Sequence, residues 1–273
     1  MSVMIMPGKV WIIGAGPGAA DLLTLRAASA LRTADVVLHD DLVSAEVIDL
    51  CHPSALIINV GKRCGRHGHG QEEINSLMVG YARQGWIVAR LKSGDPAIFA
   101  RLGEELDALR AAAVAYEIIP GVTAVTAAAA AAGLPLTDRR SASALVVLTG
   151  RNARQQPLRR SAFDLERSSY AVYMPGPDYE HTAAELMEMG VAPATPCALV
   201  SHAGRPEQKV QFTTVGRLGL TNSHAAPAIL IVGQVAGSRS ATEATSDCPE
   251  APIEQAMLAA AQMVESSAKR SNY

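Results

Sequence analysis

Residues 9–21 read Lys9-Val10-Trp11-Ile12-Ile13-Gly14-Ala15-Gly16-Pro17-Gly18-Ala19-Ala20-Asp21. An apolar, β-favouring run breaks into a glycine-rich turn. The Ala/Leu-rich residues 22–34 that follow predict a helix, with Asp21 as its N-cap. A strand feeding a helix through glycines is the opening unit of an α/β architecture, and the chain repeats it. Short β-rich runs at 34–39, 55–60, 86–91 and 115–119 alternate with helical stretches, which predicts a mainly parallel N-terminal sheet. The polar stretch 137–143 interrupts the pattern, and strands restart at 144–148, 170–174, 196–201 and 228–232. Residues 209–215 alternate in side-chain character and predict an antiparallel excursion, so the C-terminal sheet is expected to be mixed. The expected organisation is two α/β domains, 1–136 and 137–237. Residues 238–273 are expected to form a peripheral Ser/Thr/Glu-rich tail with an amphipathic stretch at 253–264.

Composition narrows the function classes. Of 273 residues, 49% are hydrophobic and 18% charged, too apolar a balance for disorder. A formal net charge of -2 excludes a general nucleic-acid binder and leaves room only for a local basic pocket. Cys51, Cys64, Cys197 and Cys248 are scattered without CxxC or paired His spacing. Neither a structural metal nor a disulfide framework is expected, and a reducing cytoplasm fits. The N-terminus lacks the basic segment of a signal peptide. The longest apolar stretch, 122–136, is shorter than the ~20 residues of a spanning helix. No membrane partner is expected.

Two motifs carry chemistry. Gly14, Gly16 and Ala19 match the G-x-G-x-x-G/A dinucleotide fingerprint, and Asp40 stands at the end of the next strand, where a ribose-binding acid belongs. Against that reading, Pro17 stiffens the turn and the Asp21 cap starts the helix late for a pyrophosphate cradle. The second motif runs from Arg90 to Glu105, with Ser93-Gly94-Asp95-Pro96 between a strand end and a helix expected from about Ala97. Asp95 either caps that helix or meets a ligand. Arg101 and Glu105 could form a solvated i,i+4 pair. Leu102, Leu106, Leu109 and Ala113 mark the apolar stripe, which leaves Arg101 and Glu104 at its margin, towards a cleft.

With both motifs in place, the chain resembles the uroporphyrinogen-III C-methyltransferases. These are S-adenosylmethionine-dependent tetrapyrrole methylases of sirohaem and cobalamin biosynthesis. The resemblance runs in order through GAGPG at 14–18, DDLVS at 40–44, VGKRCGRH at 60–67, QEEIN at 71–75, LKSGDPAIF at 91–99, GEE at 103–105, PGVTA at 120–124, GLPLT at 133–137, VVLTG at 146–150, PEQKV at 206–210 and PAILIVG at 227–233. It implies the tetrapyrrole methylase fold, with the cofactor in the cleft between two α/β domains, and a homodimer.

Carried over residue by residue, the resemblance puts cofactor contacts on Pro17, on Ser93, Gly94, Asp95 and Ile98, on Thr123 and Ala124, on Met174, and on Ala203 and Ala228. It gives acid–base roles to Asp40 and Lys62 and substrate handling to Arg101, Glu104 and Arg139. The implied reaction moves a methyl from S-adenosyl-L-methionine to a pyrrole carbon of uroporphyrinogen III, leaving S-adenosyl-L-homocysteine and yielding precorrin-2. The substrate carries eight carboxylates, so Lys62, Arg63, Arg66, Arg101, Arg139, Arg140 and Arg151 would supply a local basic surface. His67 and His69 lie in a Gly-rich loop without nearby carboxylates, and no metal is assigned.

The sequence departs from the family pattern at His39-Asp40-Asp41, at Ser93, at Ala100 and Leu102, and at Asp138. Several of these lie on the substrate side and bear on which macrocycle is methylated. A related precorrin methyltransferase is the nearest alternative, a dinucleotide-dependent oxidoreductase is the competitor from another class, and a non-catalytic cofactor-binding regulator is a third.

Overall fold

The computed structural model describes residues 8–61, 69–150, 167–221 and 225–237. The tail 238–273, with its expected amphipathic stretch, lies outside the described residues. So do Lys62, Arg63, Cys64, Arg66, His67, Arg151 and Cys248.

The first domain is built on strands β1 (Lys9–Gly14), β2 (Val36–His39), β3 (Leu56–Asn59), β4 (Ile87–Lys92) and β5 (Ala115–Ile119). They pair in the order β3-β2-β4-β1-β5, with every pairing parallel. Val10, Ile12 and Ile13 are fully buried, as a strand covered on both faces requires. Helices α1 (Leu25–Leu31), α2 (Ala45–Ile48), α3 (Gln71–Arg83) and α4 (Leu102–Ala111) complete the domain. One apolar cluster joins Ile13, Leu91 and Ile119 to α1, and another joins Val10, Ile12 and Val88 to Met78 of α3 and Leu109 of α4.

The second domain holds β6 (Ala144–Thr149), β7 (Ser168–Tyr173), helix α6 (Tyr179–Glu188), β8 (Pro196–Ser201), β9 (Lys209–Thr214) and β10 (Ala228–Val232). Its sheet order is β6-β7-β10-β8-β9. Only β6 and β7 run parallel, so this sheet is mixed, and β9 is the antiparallel excursion expected for 209–215. Helix α5 (Ala124–Ala132), the alanine run, packs on this second sheet through Val125, Ala128 and Ala132 against Ala171, Val200 and Ile231. Alanines let the helix lie close to the strands, and Gly133 ends it at φ 62°. It precedes residue 137 in the chain yet belongs, by packing, to the second layer.

Two local expectations are corrected. The helix expected over 22–34 begins at Leu25, after a 3-10 turn at Ala20–Leu22, and its N-cap is Thr24 rather than Asp21. Thr24 Oγ1 accepts from the Ala27 N–H at 3.2 Å, a bond that Asp21 does not make. The helix expected from about Ala97 begins at Leu102, because Phe99 and Arg101 adopt left-handed φ values of 51° and 56°.

Candidate functional site

Glycines pinch together the carboxyl ends of β1, β4 and β5. Gly16 N–H donates to the Gly94 carbonyl at 3.2 Å, and Gly94 N–H returns a bond to the Gly16 carbonyl at 2.7 Å. A Cβ on Gly121 would lie 2.4 Å from the Gly94 carbonyl oxygen, and one on Gly14 would lie 2.6 Å from the Gly121 Cα. Three turns meet there only because these positions carry no side chain. Asp95 ties the turns together: Oδ1 accepts from the Ala97 N–H at 2.8 Å and Oδ2 from the Gly121 N–H at 3.0 Å. It thus serves turn N–H groups, not a helix N-terminus.

The second domain closes over this edge. Ala19 N–H donates to the Gly204 carbonyl at 2.9 Å, and Arg205 Nε donates to the Pro17 carbonyl at 3.2 Å. Thr123 Oγ1 and the Tyr173 hydroxyl are 2.5 Å apart, and that hydroxyl accepts from the Val125 N–H at 3.1 Å. The Tyr173 ring meets Phe99 edge-on, 5.3 Å between centroids. Met174 and His202 continue the series of left-handed non-glycine residues, with φ 50° and 51°. Such conformations persist only where surrounding structure holds them, and here four of the five among the described residues border one seam.

Most of the expected cofactor positions border that seam. Pro17 is buried against the 202–205 loop, Ser93, Gly94 and Asp95 form the middle turn, and Ile98 is exposed beyond it. Thr123 and Ala124 open α5, while Met174, Ala203 and Ala228 come from the second domain; Ala228 pairs with Ser201 and Ile229 with Tyr173. Small side chains and close backbone suit a bent nucleoside gripped through main-chain donors. No cluster of His, Cys, Asp and Glu suited to a metal occurs among the described residues. For a dinucleotide, the first α-helix starts seven residues beyond Gly18, too far to aim its N-terminus at a pyrophosphate held in the turn.

Beside the seam lies a cleft of about 230 Å³, lined by Asp40, His69, Gln71, Arg90, Lys92, Phe99 and Arg101 among others. A larger cavity of about 400 Å³ opens at the amino-terminal end of β7, near Ser168 and Tyr170, and no charged side chain among the described residues lines it. The chemistry-bearing groups belong to the smaller cleft.

The wall of the smaller cleft and the layer behind it hold residues whose role sequence reasoning missed. Arg90, Lys92 and Glu105 are 2%, 2% and 0% exposed. Glu105 Oε1 accepts from Arg90 Nε at 2.9 Å and from Lys92 Nζ at 2.7 Å, while Arg90 Nη2 donates to Asp40 Oδ1 at 2.5 Å. Burial, and then Arg90, push the Lys92 ammonium below its usual range, against the pull of Glu105 and Asp40. Burial also works against the Arg90 charge, but Asp40 and Glu105 outweigh it and leave that group raised. The available signal was two cations at alternate positions of an otherwise apolar central strand. The buried face of α4 is Glu105 with Leu109, so Glu105 is no partner for Arg101.

Arg101 instead pairs with Glu104 through two bonds of 2.7 and 2.6 Å, its side chain 56% exposed and that of Glu104 51%. The hydrogen bond raises Arg101 and lowers Glu104 from their ordinary values. Arg101 borders the cleft with Asp40. Arg139 is exposed on the turn closed by Asp138 and Ala142, and no hydrogen bond or ion pair ties it to the cleft among the described residues. Arg140 pairs with Asp138 at 2.7 Å.

The family profile described as Tetrapyrrole (Corrin/Porphyrin) Methylases matches residues 9–219. Siroheme synthase 1 of Cronobacter sakazakii is 42% identical over 230 residues, covering 84% of this chain and 49% of that protein. The chain thus spans about half the length of that curated relative. The crystal structure of uroporphyrin-III-C-methyltransferase from Thermus thermophilus superposes with a TM-score of 0.72 at 38% identity, over 85% of this chain and 95% of that one. A structure of the Thermus enzyme complexed with S-adenyl homocysteine gives 0.73 at 34% identity, over 84% and 98%.

Proposed function

The chain belongs to the tetrapyrrole methylase family, and from that premise we propose that it C-methylates uroporphyrinogen III to precorrin-2, with S-adenosyl-L-methionine as methyl donor. The observation that carries this reading is the juxtaposition of two sites. A seam of small residues, built on Gly94 and Gly121, suits a nucleoside; beside it, a cleft presents Asp40, Lys92, Arg90 and Arg101. The near-complete coverage of a uroporphyrin-III-C-methyltransferase of similar fold supports it.

In this reading Pro17, Ser93, Gly94, Asp95, Ile98, Thr123, Ala124, Met174, Ala203 and Ala228 hold the cofactor. When bound, S-adenosyl-L-methionine supplies a methyl group already activated by a positive sulfur. The protein's work is then alignment and management of one proton for each methyl transferred. Asp40 is the proton acceptor and Lys62 its acid counterpart. Arg101, steadied by Glu104, engages substrate carboxylates at the cleft, and Arg139 does so from the second domain. A polyanion on a chain of net charge -2 requires such local concentration of cations. The product feeds sirohaem or cobalamin synthesis, and the chain acts as a cytoplasmic homodimer.

The test is direct. Incubation with S-adenosylmethionine and uroporphyrinogen III, followed by mass spectrometry, should give a product that has gained two methyl groups. Calorimetry should register adenosylhomocysteine and give no heat with NAD, NADP or FAD. Methylation only of a later, already methylated precorrin would favour the sister activity; tight dinucleotide binding with silent adenosylhomocysteine would overturn the reading.

A further inference from the structure

Strand β4 is central, flanked by β2 and β1, and its residues are almost wholly buried. Such a strand is most simply built of apolar side chains. Replacing a buried ion network with packed apolar groups is often neutral or stabilising, so stability alone does not account for Arg90, Lys92 and Glu105. Buried charge beside a cleft marks a functional arrangement.

The wiring of Arg90 is specific. Nε donates to Glu105 Oε1 on α4, Nη1 to the carbonyls of Leu38 and Leu91 at 3.3 Å each, and Nη2 to Asp40 Oδ1. Four acceptors from β2, β4, α4 and the loop after β2 leave the planar guanidinium one orientation. Glu105 takes both buried cations on Oε1, and among the described residues its buried Oε2 has no hydrogen-bond partner. Two cations and two carboxylates sum to zero. Arg90 and Lys92 line the cleft but are only 3% and 2% exposed at the side chain, and Glu105 is 0% exposed, so Asp40, at 30%, is the member of the quartet most open to the cleft.

We propose that Arg90 is a positioning residue for the reaction: anchored from behind by Glu105, it holds the Asp40 carboxylate in one place on the cleft wall. The proposal rests on the reading of Asp40 as proton acceptor. In that step a bond from the methylated macrocycle to hydrogen breaks, its electron pair stays with the macrocycle, and the proton bonds to an Asp40 oxygen. Asp40 Oδ1 is engaged by Arg90, and among the described residues no hydrogen bond engages Oδ2. Protonation would leave the quartet with one uncompensated buried positive charge, so Asp40 returns the proton to solvent before the next turnover. Lys92 enlarges the effect, because its charge lies in the same buried group.

A double-mutant cycle tests this. Asp40→Asn and Arg90→Lys should each lower kcat by about a hundredfold, the scale of a misplaced reacting group. The Michaelis constant for the tetrapyrrole and the adenosylhomocysteine affinity of Arg90→Lys should stay near wild type, while its melting temperature falls with the buried hydrogen bonds that lysine cannot make. A merely structural role would move those two constants with kcat. If Arg90 acts through Asp40, the double variant is no slower than Asp40→Asn alone. Should Arg90→Lys fail to fold, Arg90→Gln combined with Glu105→Gln removes one cation and one anion together and carries the same expectation. Multiplying losses in the double variant, or an unimpaired Arg90→Lys beside an inactive Asp40→Asn, overturns the proposal and leaves the Asp40 reading intact. Wild-type turnover in Asp40→Asn overturns both.

Discussion

Arg205 of the second domain donates from Nε to the carbonyl of Pro17 in the first, 3.2 Å away. Its Nη2 donates to the Leu42 carbonyl, two residues past Asp40. One guanidinium therefore joins the glycine-rich turn to the loop that carries the cleft acid. A Cβ on Gly18 would sit 2.5 Å from the Arg205 side chain, so this crossing also requires the glycine. Arg205→Ala should cost about 1–3 kcal/mol of stability through two carbonyls left without their donor. It should also weaken adenosylhomocysteine binding; Arg205→Lys, which cannot span both carbonyls, should recover only part. Calorimetry and thermal melts check this, and unchanged affinity in the alanine variant would separate the crossing from the proposed cofactor seam.

Asp95 bonds two turns through its two oxygens, so its loss should be felt twice. Asp95→Ala leaves the Ala97 and Gly121 N–H groups unpartnered and should lower stability by about 1–3 kcal/mol as well as weakening adenosylhomocysteine binding. Asp95→Asn keeps one acceptor and should fall between. Loss of affinity without any change in melting temperature would contradict the hydrogen bonds described here.

Arg101 and Glu104 form a well-aligned but solvent-exposed pair. Replacing either should change stability by under about 1 kcal/mol, because exposed pairs are screened and entropically costly. Arg101→Ala and Glu104→Gln should nevertheless abolish most methyl transfer while leaving adenosylhomocysteine affinity near wild type. Intact turnover in both would reduce them to a surface ion pair.

The Arg139 turn is held by its neighbours. Arg140, through its side chain and backbone N–H, pulls the Asp138 carboxyl from 3.8 down to about 2. A lowered folded-state value means the contribution of this pair is fully present above about pH 4 and is lost as pH falls through about 2. An NMR titration should show that depression in the wild type and its relief in Arg140→Gln. The exposed Arg139 should bind substrate in a salt-dependent way over a Debye length of ~8–10 Å. Arg139→Lys should raise the Michaelis constant, and wild-type constants in Arg139→Ala would place the carboxylate clamp elsewhere.

The sequence by itself determined the two-layer α/β plan, because strand and helix periods and glycine-rich turns are local properties. It located the parallel strands, the antiparallel β9 and the turns at Gly14 to Gly18 and Ser93 to Asp95, and the motifs there sufficed to name a family. Local pattern could not say where a helix starts when the intervening turn is held by another segment. Asp21 reads as a cap, but Thr24 reaches the Ala27 N–H; Ala97 to Arg101 reads as helix, but Asp95 draws the Ala97 N–H into a turn and Phe99 and Arg101 take left-handed φ. Tertiary structure alone decided the identity of the buried charges. Arg90, Lys92, Glu105 and Asp40 lie up to 65 positions apart in the chain, and only the side-by-side pairing of β2 and β4 with α4 packed nearby brings their opposite charges within hydrogen-bonding distance. Burial makes each charge costly alone, so the four are intelligible only as a set.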